Sequence, residues 1–391
     1  MNHTDNARFF IVFPVDLEDL GLQELTEKFS IHFVDQDRVE TFTVLKKIPG
    51  GLEIECPFLI GIALNTILRT PTRILLRLGE FKCRDAPKLF QKISKFNWAP
   101  WLIGQTPVVE SATSNSRLFD SRKIEKAIQD GVLQYYRHKP LKKKYLDQLT
   151  AVNKTGGLLP KIYFRAVDDI CTLSLDTTGE RLHLRGEKNL LALAPIRENL
   201  AALLLREVKN YLPSNFFTLI DPMCGSGTFL LEAYRDQCVT KEREFSFNYL
   251  PLVLDNILKL KDVETRPQQN FLALMGFDYN KDVTSQAIQN CSGTNIIISN
   301  ADLFDEKKIN IEKTVVIINP PYGIRVGEKS EINLAYYLKI IEAAKNKFNP
   351  ELLGIIIPSD YQLKQNKLFK IKRSRAFKNG GIDVVFYLLG F

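Results

Sequence analysis

The sequence predicts an α/β protein in two parts, an N-terminal α+β region followed by a C-terminal doubly wound parallel sheet covered on both faces. Two observations carry this. From about residue 190, short and wholly apolar segments alternate with helical ones, the pattern of strands covered on both faces. One of those segments runs through an acid into a glycine-containing turn and a helix. In such sheets ligands bind at the carboxyl ends of the strands.

Length and composition agree with that division. The 391 residues allow two or three domains at roughly 150 residues each. With 45% hydrophobic residues, and 53 Lys and Arg against 45 Asp and Glu for a net charge of +8, the chain is globular and not disordered. Six scattered cysteines without a C-x-x-C pair, and four histidines, offer no zinc spacing. No metal is expected, and the thiols read as reduced ones in a cytoplasmic protein. The first ten residues carry Asp5 and Arg8 and lack the apolar core of a signal peptide. No run approaches the roughly 18 apolar residues of a membrane span, so no membrane partner is expected.

In the N-terminal part, RFFIVFPV reads as a strand, and DLEDLGLQELTEKF places Leu17, Leu20, Leu25 and Phe29 near one helix face. HFVDQDRVETFTVL and GLEIECP read as extended. Residues 59–80 read as an apolar helical run ending in TPTRILLRLG, punctuated by Thr70, Pro71 and Gly79. TPVVESATS is a strand. DSRKIEKAIQDGVLQYYR is a helix with Asp120 or Ser121 as its cap and Ile124, Ile128, Val132 and Tyr135 as its apolar stripe. KIYFRAVDDICTLSLDTTG reads as a hairpin. The C-terminal strands are expected at 216–220, 273–277, 295–299, 314–319, 352–358 and 382–391.

Three strand ends carry acids. TLIDPMCGSGTFLLEAYR is a strand, Asp221, a turn with Gly225 and Gly227, and a helix from Thr228, whose free N–H groups and missing side chains admit a ligand closely. A dinucleotide fingerprint would need glycine where Leu230 stands, and a P-loop would need a lysine where Thr228 stands. A ligand with an amino acid moiety and a nucleoside but no phosphate fits better, which describes S-adenosylmethionine. Asp278, ending ALMGFD, is placed to accept from ribose hydroxyls, and Asp302, after IIISNA, from an adenine amino group.

VVIINPPYGIRVGE is the sharpest feature. Two prolines directly after a buried strand cannot extend the ladder, so Asn319 and the Pro320 carbonyl are expected to point outward as acceptors. An exocyclic amino group on a base is a poor nucleophile because its lone pair is delocalised. Accepting both of its N–H protons holds it still and favours a pyramidal nitrogen, and the reaction is then driven mainly by positioning. Tyr322 is expected to stack on the extruded base. Cys224 lies in the glycine turn, far in sequence from this loop, so thiol-based methylation at pyrimidine carbon 5 is disfavoured.

The charge is concentrated. Between Ser121 and Arg165 there are eleven basic residues, among them Arg122, Lys123, Lys126, Lys142, Lys143 and Lys144, against three acidic ones, a local excess equal to the net charge of the chain. Tyr135, Tyr136, Tyr145 and Phe164 lie among them, the mixture that neutralises phosphates and stacks on exposed bases. A second run, Lys364 to Lys378, has seven basic residues and no acidic one. Such runs are equally the mark of solvated surface.

The motifs together resemble class I S-adenosylmethionine-dependent nucleic-acid methyltransferases with an N-terminal THUMP domain, in particular bacterial 23S ribosomal RNA guanine-N2 methyltransferases. FFIVFPVDLEDLGLQEL is similar to their ferredoxin-like start, SNSRLFDSRKIEKAIQDGV to the THUMP signature, and DTTGERLHLRGEKNLLALAPIRENLAALLL to the linker and following helix. DPMCGSGTFLLEA and NPPYGIRVGE match their cofactor and catalytic motifs. Glu187 stands where relatives commonly have an aromatic.

The resemblance implies a ferredoxin-like region at 1–58, a THUMP RNA-binding domain at 59–175, a linker at 176–195 and a Rossmann-like methyltransferase domain at 196–391. It implies cofactor roles for Asp221, Pro222, Cys224, Gly225, Ser226, Gly227, Thr228, Asp278, Asp302 and Asn319. Asn319, Pro320, Pro321 and Tyr322 become the catalytic loop, and RNA, 23S ribosomal RNA or a ribosomal precursor, the partner. An insertion makes Asp221 and Asp278 57 residues apart where a simple unit has roughly 20. Within it, FSFNYLPLVLDNILKLKD is expected to cap the base site. The competing readings are an adenine-N6 methyltransferase on RNA or DNA, a protein-glutamine methyltransferase, and a non-catalytic RNA-binding assembly factor. The last would be marked by erosion of Asp221, the glycines or N-P-P-Y, and none is eroded.

Overall fold

The computed structural model describes residues 5–33, 40–185, 196–213, 216–236, 238, 240, 243–255, 271–305, 308–323 and 332–391. The chain divides into two compact units. The first comprises Met1–Phe13, Thr26–Leu182 and Val239–Glu264, the second Pro14–Leu25, His183–Cys238 and Thr265–Phe391.

The first unit is built from β1 (Asn6–Val12), α1 (Glu18–Phe33, whose first turns count with the second unit), β2 (Thr43–Ile48), β3 (Gly51–Pro57), α2 (Phe58–Ile67) and β4 (Arg73–Lys82). It continues through α3 (Ala86–Lys95), β5 (Val109–Ser114), α4 (Ser121–His138), α5 (Lys143–Thr155), β6 (Ile162–Val167) and β7 (Ile170–Asp176). Its seven strands form one sheet in the order β2-β3-β1-β4-β7-β6-β5, so the boundary expected between 58 and 59 falls within a single sheet. Pairing is antiparallel except for β5 against β6.

Leu17, Leu20, Leu25 and Phe29 are buried, as the helical spacing predicts. Asp120 is the cap of α4, accepting from the Lys123 N–H at 3.2 Å, and Ile124, Ile128, Val132 and Tyr135 form its buried stripe. TPTRILLRLG is not the end of a helix. The helix stops at Ile67, and Arg73–Lys82 is a strand between β1 and β7, which bond to its two edges. A short apolar run suits either element by periodicity, and partners distant in sequence decide.

The second unit contains α6 (Glu198–Lys209), β8 (Thr218–Asp221) and α7 (Thr228–Tyr234). After α8 (Pro251–Leu254), which belongs to the first unit, come β9 (Ala273–Asp278), α9 (Lys281–Asn290), β10 (Ile297–Asn300), β11 (Thr314–Ile318), α10 (Leu334–Phe348), β12 (Leu352–Pro358), β13 (Lys370–Asn379) and β14 (Ile382–Gly390). The strand order is β10-β9-β8-β11-β12-β14-β13, parallel through β12 and antiparallel at β14 and β13.

Every residue of β11 is buried, and its side chains alternate between two cores. Val315 and Ile317 join a cluster with Leu203, Leu204, Phe229 and Leu230 of α6 and α7. Val316 and Ile318 join another with Tyr337, Ile340 and Ile341 of α10. A strand wedged between two layers must be apolar at every position, at about 2 kcal/mol of burial per Val or Ile.

The second basic run is a strand that was not anticipated. Its partner is β14, reached through a two-residue turn of Gly380 and Gly381 with φ of 60° and 89°, values that suit glycine. Lys370, Lys372, Arg373 and Lys378 are exposed on this edge, where charge discourages pairing with another chain. Arg375 donates to Glu207 at 2.6 Å and to Asp19 at 2.7 and 3.0 Å, Arg373 lies 3.2 Å from Glu207, and Lys378 bonds Asp383 at 2.7 Å. Three of the cations expected to face a polyanion thus have carboxylate partners within the unit.

Candidate cofactor and catalytic site

The change of direction in the second sheet falls between β8 and β11, and ligands of doubly wound sheets bind outside the carboxyl ends at that point. Parallel pairing of Val316 with Ile220 sets the ends of these strands side by side, so Asp221 and Asn319 leave the same edge.

Asp221 ends β8 and is 2% exposed. Its Oδ1 accepts from the Met223 N–H at 3.2 Å. Burial pushes its carboxyl up to about 8, against the Met223 hydrogen bond and with a contribution from nearby Asp278. An acid kept out of water at this cost suits a site that receives a polar or cationic ligand group.

The turn after Asp221 is tied to β9. The Cys224 N–H donates to the Phe277 carbonyl at 2.9 Å and the Gly225 N–H to Asp278 Oδ2 at 3.1 Å. The Gly227 N–H donates to the Cys224 carbonyl at 2.8 Å, and Asn290 Nδ2 holds the Ser226 carbonyl at 3.1 Å. Gly225 and Gly227 have φ of 54° and 84°, and a Cβ on Gly227 would stand 3.2 Å from Cys291 Sγ. Glycine is what lets the chain turn here into α7. Pro222, Cys224, Ser226 and Thr228 are buried, and the Ser226 hydroxyl has no hydrogen-bond partner among the described residues. Burial raises the Cys224 thiol pKa and keeps it protonated, which fits a packing role. Behind the turn, Arg185 clamps Glu232 of α7 with bonds of 2.8 and 3.0 Å in a fully buried pair.

Asp278 is already engaged. Its Oδ1 accepts from the Asn280 N–H at 3.0 Å, so both oxygens serve the loop, each with a lone pair to spare. Asp302, beyond β10, accepts from the Phe304 N–H at 2.9 Å and through its carbonyl from Lys347.

The Asn319–Tyr322 loop is held from two sides. Tyr337 of α10 donates to the Pro321 carbonyl at 3.2 Å. The Tyr322 hydroxyl donates to Asn319 Oδ1 at 2.6 Å and accepts from Asn379 Nδ2 at 3.0 Å. Burial pushes the Tyr322 phenol up to about 12, so it stays protonated and a donor. Its ring is partly buried against the core, and its hydroxyl bonds within the loop. Pro320 is buried and Pro321 exposed. Residues 324–328 of the motif, and Gly186 and Glu187 of the linker, lie outside the described residues.

In the first unit, Arg122, Lys123 and Lys126 are exposed on the first turns of α4, and Lys142, Lys143 and Lys144 are exposed where α5 starts. Lys144 pairs with Asp255, which raises its pKa, and lies 4.9 Å over the Tyr145 ring. The aromatics expected among these cations are core instead. Tyr135, Tyr145 and Phe164 are buried, and the Tyr136 hydroxyl donates to the Leu102 and Trp98 carbonyls at 2.6 and 3.1 Å. The aromatic that is exposed is Phe119, 73% accessible, directly before the Asp120 cap. Its signal was an aromatic beside a helix start in a basic stretch, and sequence reading passed over it.

The described part of the insertion also belongs to the first unit. Ser246 Oγ donates to the Asp176 carbonyl at 2.8 Å, the Phe247 N–H to the Thr177 carbonyl at 3.0 Å, and the Leu252 N–H to the Pro100 carbonyl at 3.1 Å. These bonds tie residues 246–252 to the end of β7 and to the Pro100 carbonyl. The rest of the quoted segment, 256–262, lies outside the described residues. Among the described residues no group of three or more His, Cys, Asp or Glu is placed to hold a metal ion, and no helix is long and apolar enough to cross a membrane.

The seven-stranded sheet thus carries an acid and a glycine turn on its first strand and N-P-P-Y on the adjacent one, the architecture on which the family match falls. The family model UPF0020, RMKL-like methyltransferase domain, matches residues 185–385, and the chain belongs to that family. It is 27% identical to ribosomal RNA large subunit methyltransferase K/L of Colwellia psychrerythraea, over 88% of this chain and 48% of the relative. YpsC of Bacillus subtilis is 26% identical over 83% of each chain. The crystal structure of SMU.472 complexed with SAH superposes with a TM-score of 0.73 at 23% identity, covering 98% of this chain and 97% of that one. The chain spans about half the length of the K/L relatives it matches.

Proposed function

We propose that the protein transfers a methyl group from S-adenosylmethionine to the exocyclic N2 of a guanine in 23S ribosomal RNA or its precursor. The observation that carries this reading is the Asn319–Tyr322 loop, anchored at the tip of β11 beside the Asp221 turn. The residues present fit the cofactor. A buried acid whose pKa stands at about 8, a buried Ser226 hydroxyl without a partner among the described residues, and a turn with Gly225 and Gly227 at positive φ fit a polar, phosphate-free ligand. Asp221, the 222–228 turn, Asp278 and Asp302 would hold it, and when bound it supplies an electrophilic methyl group.

The protein's own contribution is positional. Asn319 Oδ1 carries two lone pairs, of which Tyr322 occupies one. The second, with the Pro320 carbonyl, accepts the two amine protons and directs the nitrogen lone pair outward. The methylated nitrogen is acidic enough to lose its proton to water, so no strong base is needed. The RMKL-like family and the naming of the K/L relatives as ribosomal RNA enzymes support RNA, as does the exposed basic start of α4 and α5.

The test is mass spectrometry of nucleosides from ribosomal RNA of a gene-deleted strain, treated with the protein and S-adenosylmethionine. A gain of N2-methylguanosine is expected, and a gain of N6-methyladenosine would replace guanine by adenine. The Asn319→Ala protein should bind cofactor normally in calorimetry yet transfer methyl groups at least about 10²-fold more slowly, as when one preorganised polar group is removed. Absence of cofactor binding by the wild type would leave a non-catalytic RNA-binding factor.

A further inference from the structure

The hydrogen bonds of the catalytic loop continue into the β13–β14 hairpin. Asn379 is the last residue of β13, 8% exposed, directly before the Gly380–Gly381 turn. Its Nδ2 donates to the Tyr322 oxygen at 3.0 Å, and the single phenol proton goes on to Asn319 Oδ1 at 2.6 Å.

A phenol has one proton to give, so the direction of such a relay is set at its outer end. With an N–H arriving from residue 379, the phenol proton points to Asn319, which must turn its oxygen toward Tyr322. With only an acceptor at 379, the phenol proton would go there, and Asn319 would turn its amide N–H toward the phenol oxygen instead. Sixty residues after Asn319, the donor at 379 thus decides which end of the Asn319 amide faces which way. Bonds in series also strengthen one another, so the loop is stiffer than one bond would make it.

We propose that Asn379 is a positioning residue that fixes the polarity of the Asn379→Tyr322→Asn319 relay, and with it the orientation in which Asn319 meets the substrate amine. The inference rests on the amine-accepting role of Asn319.

Asn379→Asp keeps the shape and removes the donor. In the transfer assay on ribosomal RNA it should lower kcat about 10²-fold with KM for S-adenosylmethionine within about twofold of wild type. Asn379→Ala, which leaves the phenol proton on Asn319, should lose about tenfold. In a Tyr322→Phe background neither substitution should matter further. A wild-type kcat for Asn379→Asp, or a loss that persists in full in Tyr322→Phe, would overturn the proposal. A second reading needs neither RNA nor cofactor. In protein labelled with 15N at asparagine, the Asn319 side-chain amide resonances should move in Asn379→Asp, and should not move when that change is made in Tyr322→Phe. Unmoved resonances in Asn379→Asp overturn the relay whatever the activity, while moved resonances with an inactive wild type overturn only the proposed reaction.

Discussion

Asp221→Asn isolates what an acid at the tip of β8 costs the fold. Burial pushes this carboxyl from 3.8 to about 8. Below 3.8 it is neutral in the folded and unfolded chains alike, and no penalty exists. From 3.8 upward the unfolded chain ionises while the folded one does not, so stability falls as pH rises, and the loss is complete above about 8. At about 1.4 kcal/mol per pH unit, the loss accumulated by neutral pH is at most about 4 kcal/mol. Relaxation and water entry around an ionised carboxylate reduce such penalties, so about 2 kcal/mol is expected. The asparagine is the same shape, accepts from the Met223 N–H, and does not ionise. The variant should match wild type near pH 4 and exceed it by about 2 kcal/mol near pH 7.5. Trp98 and Trp101 lie in the first unit, so their fluorescence would not report this region. Hydrogen exchange of β8 and β11 peptides across that pH range does. A gap independent of pH, or a variant less stable near pH 7.5, would refute the reasoning. If Asp221 holds the cofactor as proposed, the same variant should also bind S-adenosylmethionine more weakly.

Two further outcomes follow from the geometry. Gly227→Ala places a side chain at φ of 84° and 3.2 Å from Cys291 Sγ, so denaturant unfolding should show a loss of about 1–2 kcal/mol together with weaker cofactor binding; full stability would contradict the need for glycine. Glutamate at both Lys142 and Lys143 should weaken RNA binding and flatten its dependence on salt by roughly one unit of log–log slope per lost phosphate contact, while an unchanged slope would make this stretch solvated surface only.

The second unit was legible because its constraints are local. Apolar runs such as TVVIIN and LLGIIIP occupy strands buried on both faces, and the acid, glycines and prolines at their ends sit where backbone chemistry requires them. Asp120 and the α4 stripe were legible for the same reason. The errors came where a segment's partner is remote. RILLRLG looked helical until β1 and β7 bonded its two edges, and KIKRSRAFKN looked like a charged surface although Asp19 and Glu207 neutralise part of it. Tyr135, Tyr136, Tyr145 and Phe164 looked like a stacking platform because composition counts aromatics without saying which way they face.

The sequence by itself determined the doubly wound sheet, the ends of its strands where chemistry gathers, and the residue types that could handle a phosphate-free cofactor and an aromatic amine. Those follow from periodicity and from the backbone limits of glycine and proline, which act within a few residues. Only the tertiary structure decided that the Tyr322 hydroxyl turns inward to Asn319, that Asn379 stands behind it, and that Asp221 is dry enough to hold its proton up to about pH 8. Side-chain direction, desolvation and hydrogen-bond polarity depend on groups brought together from opposite ends of the unit.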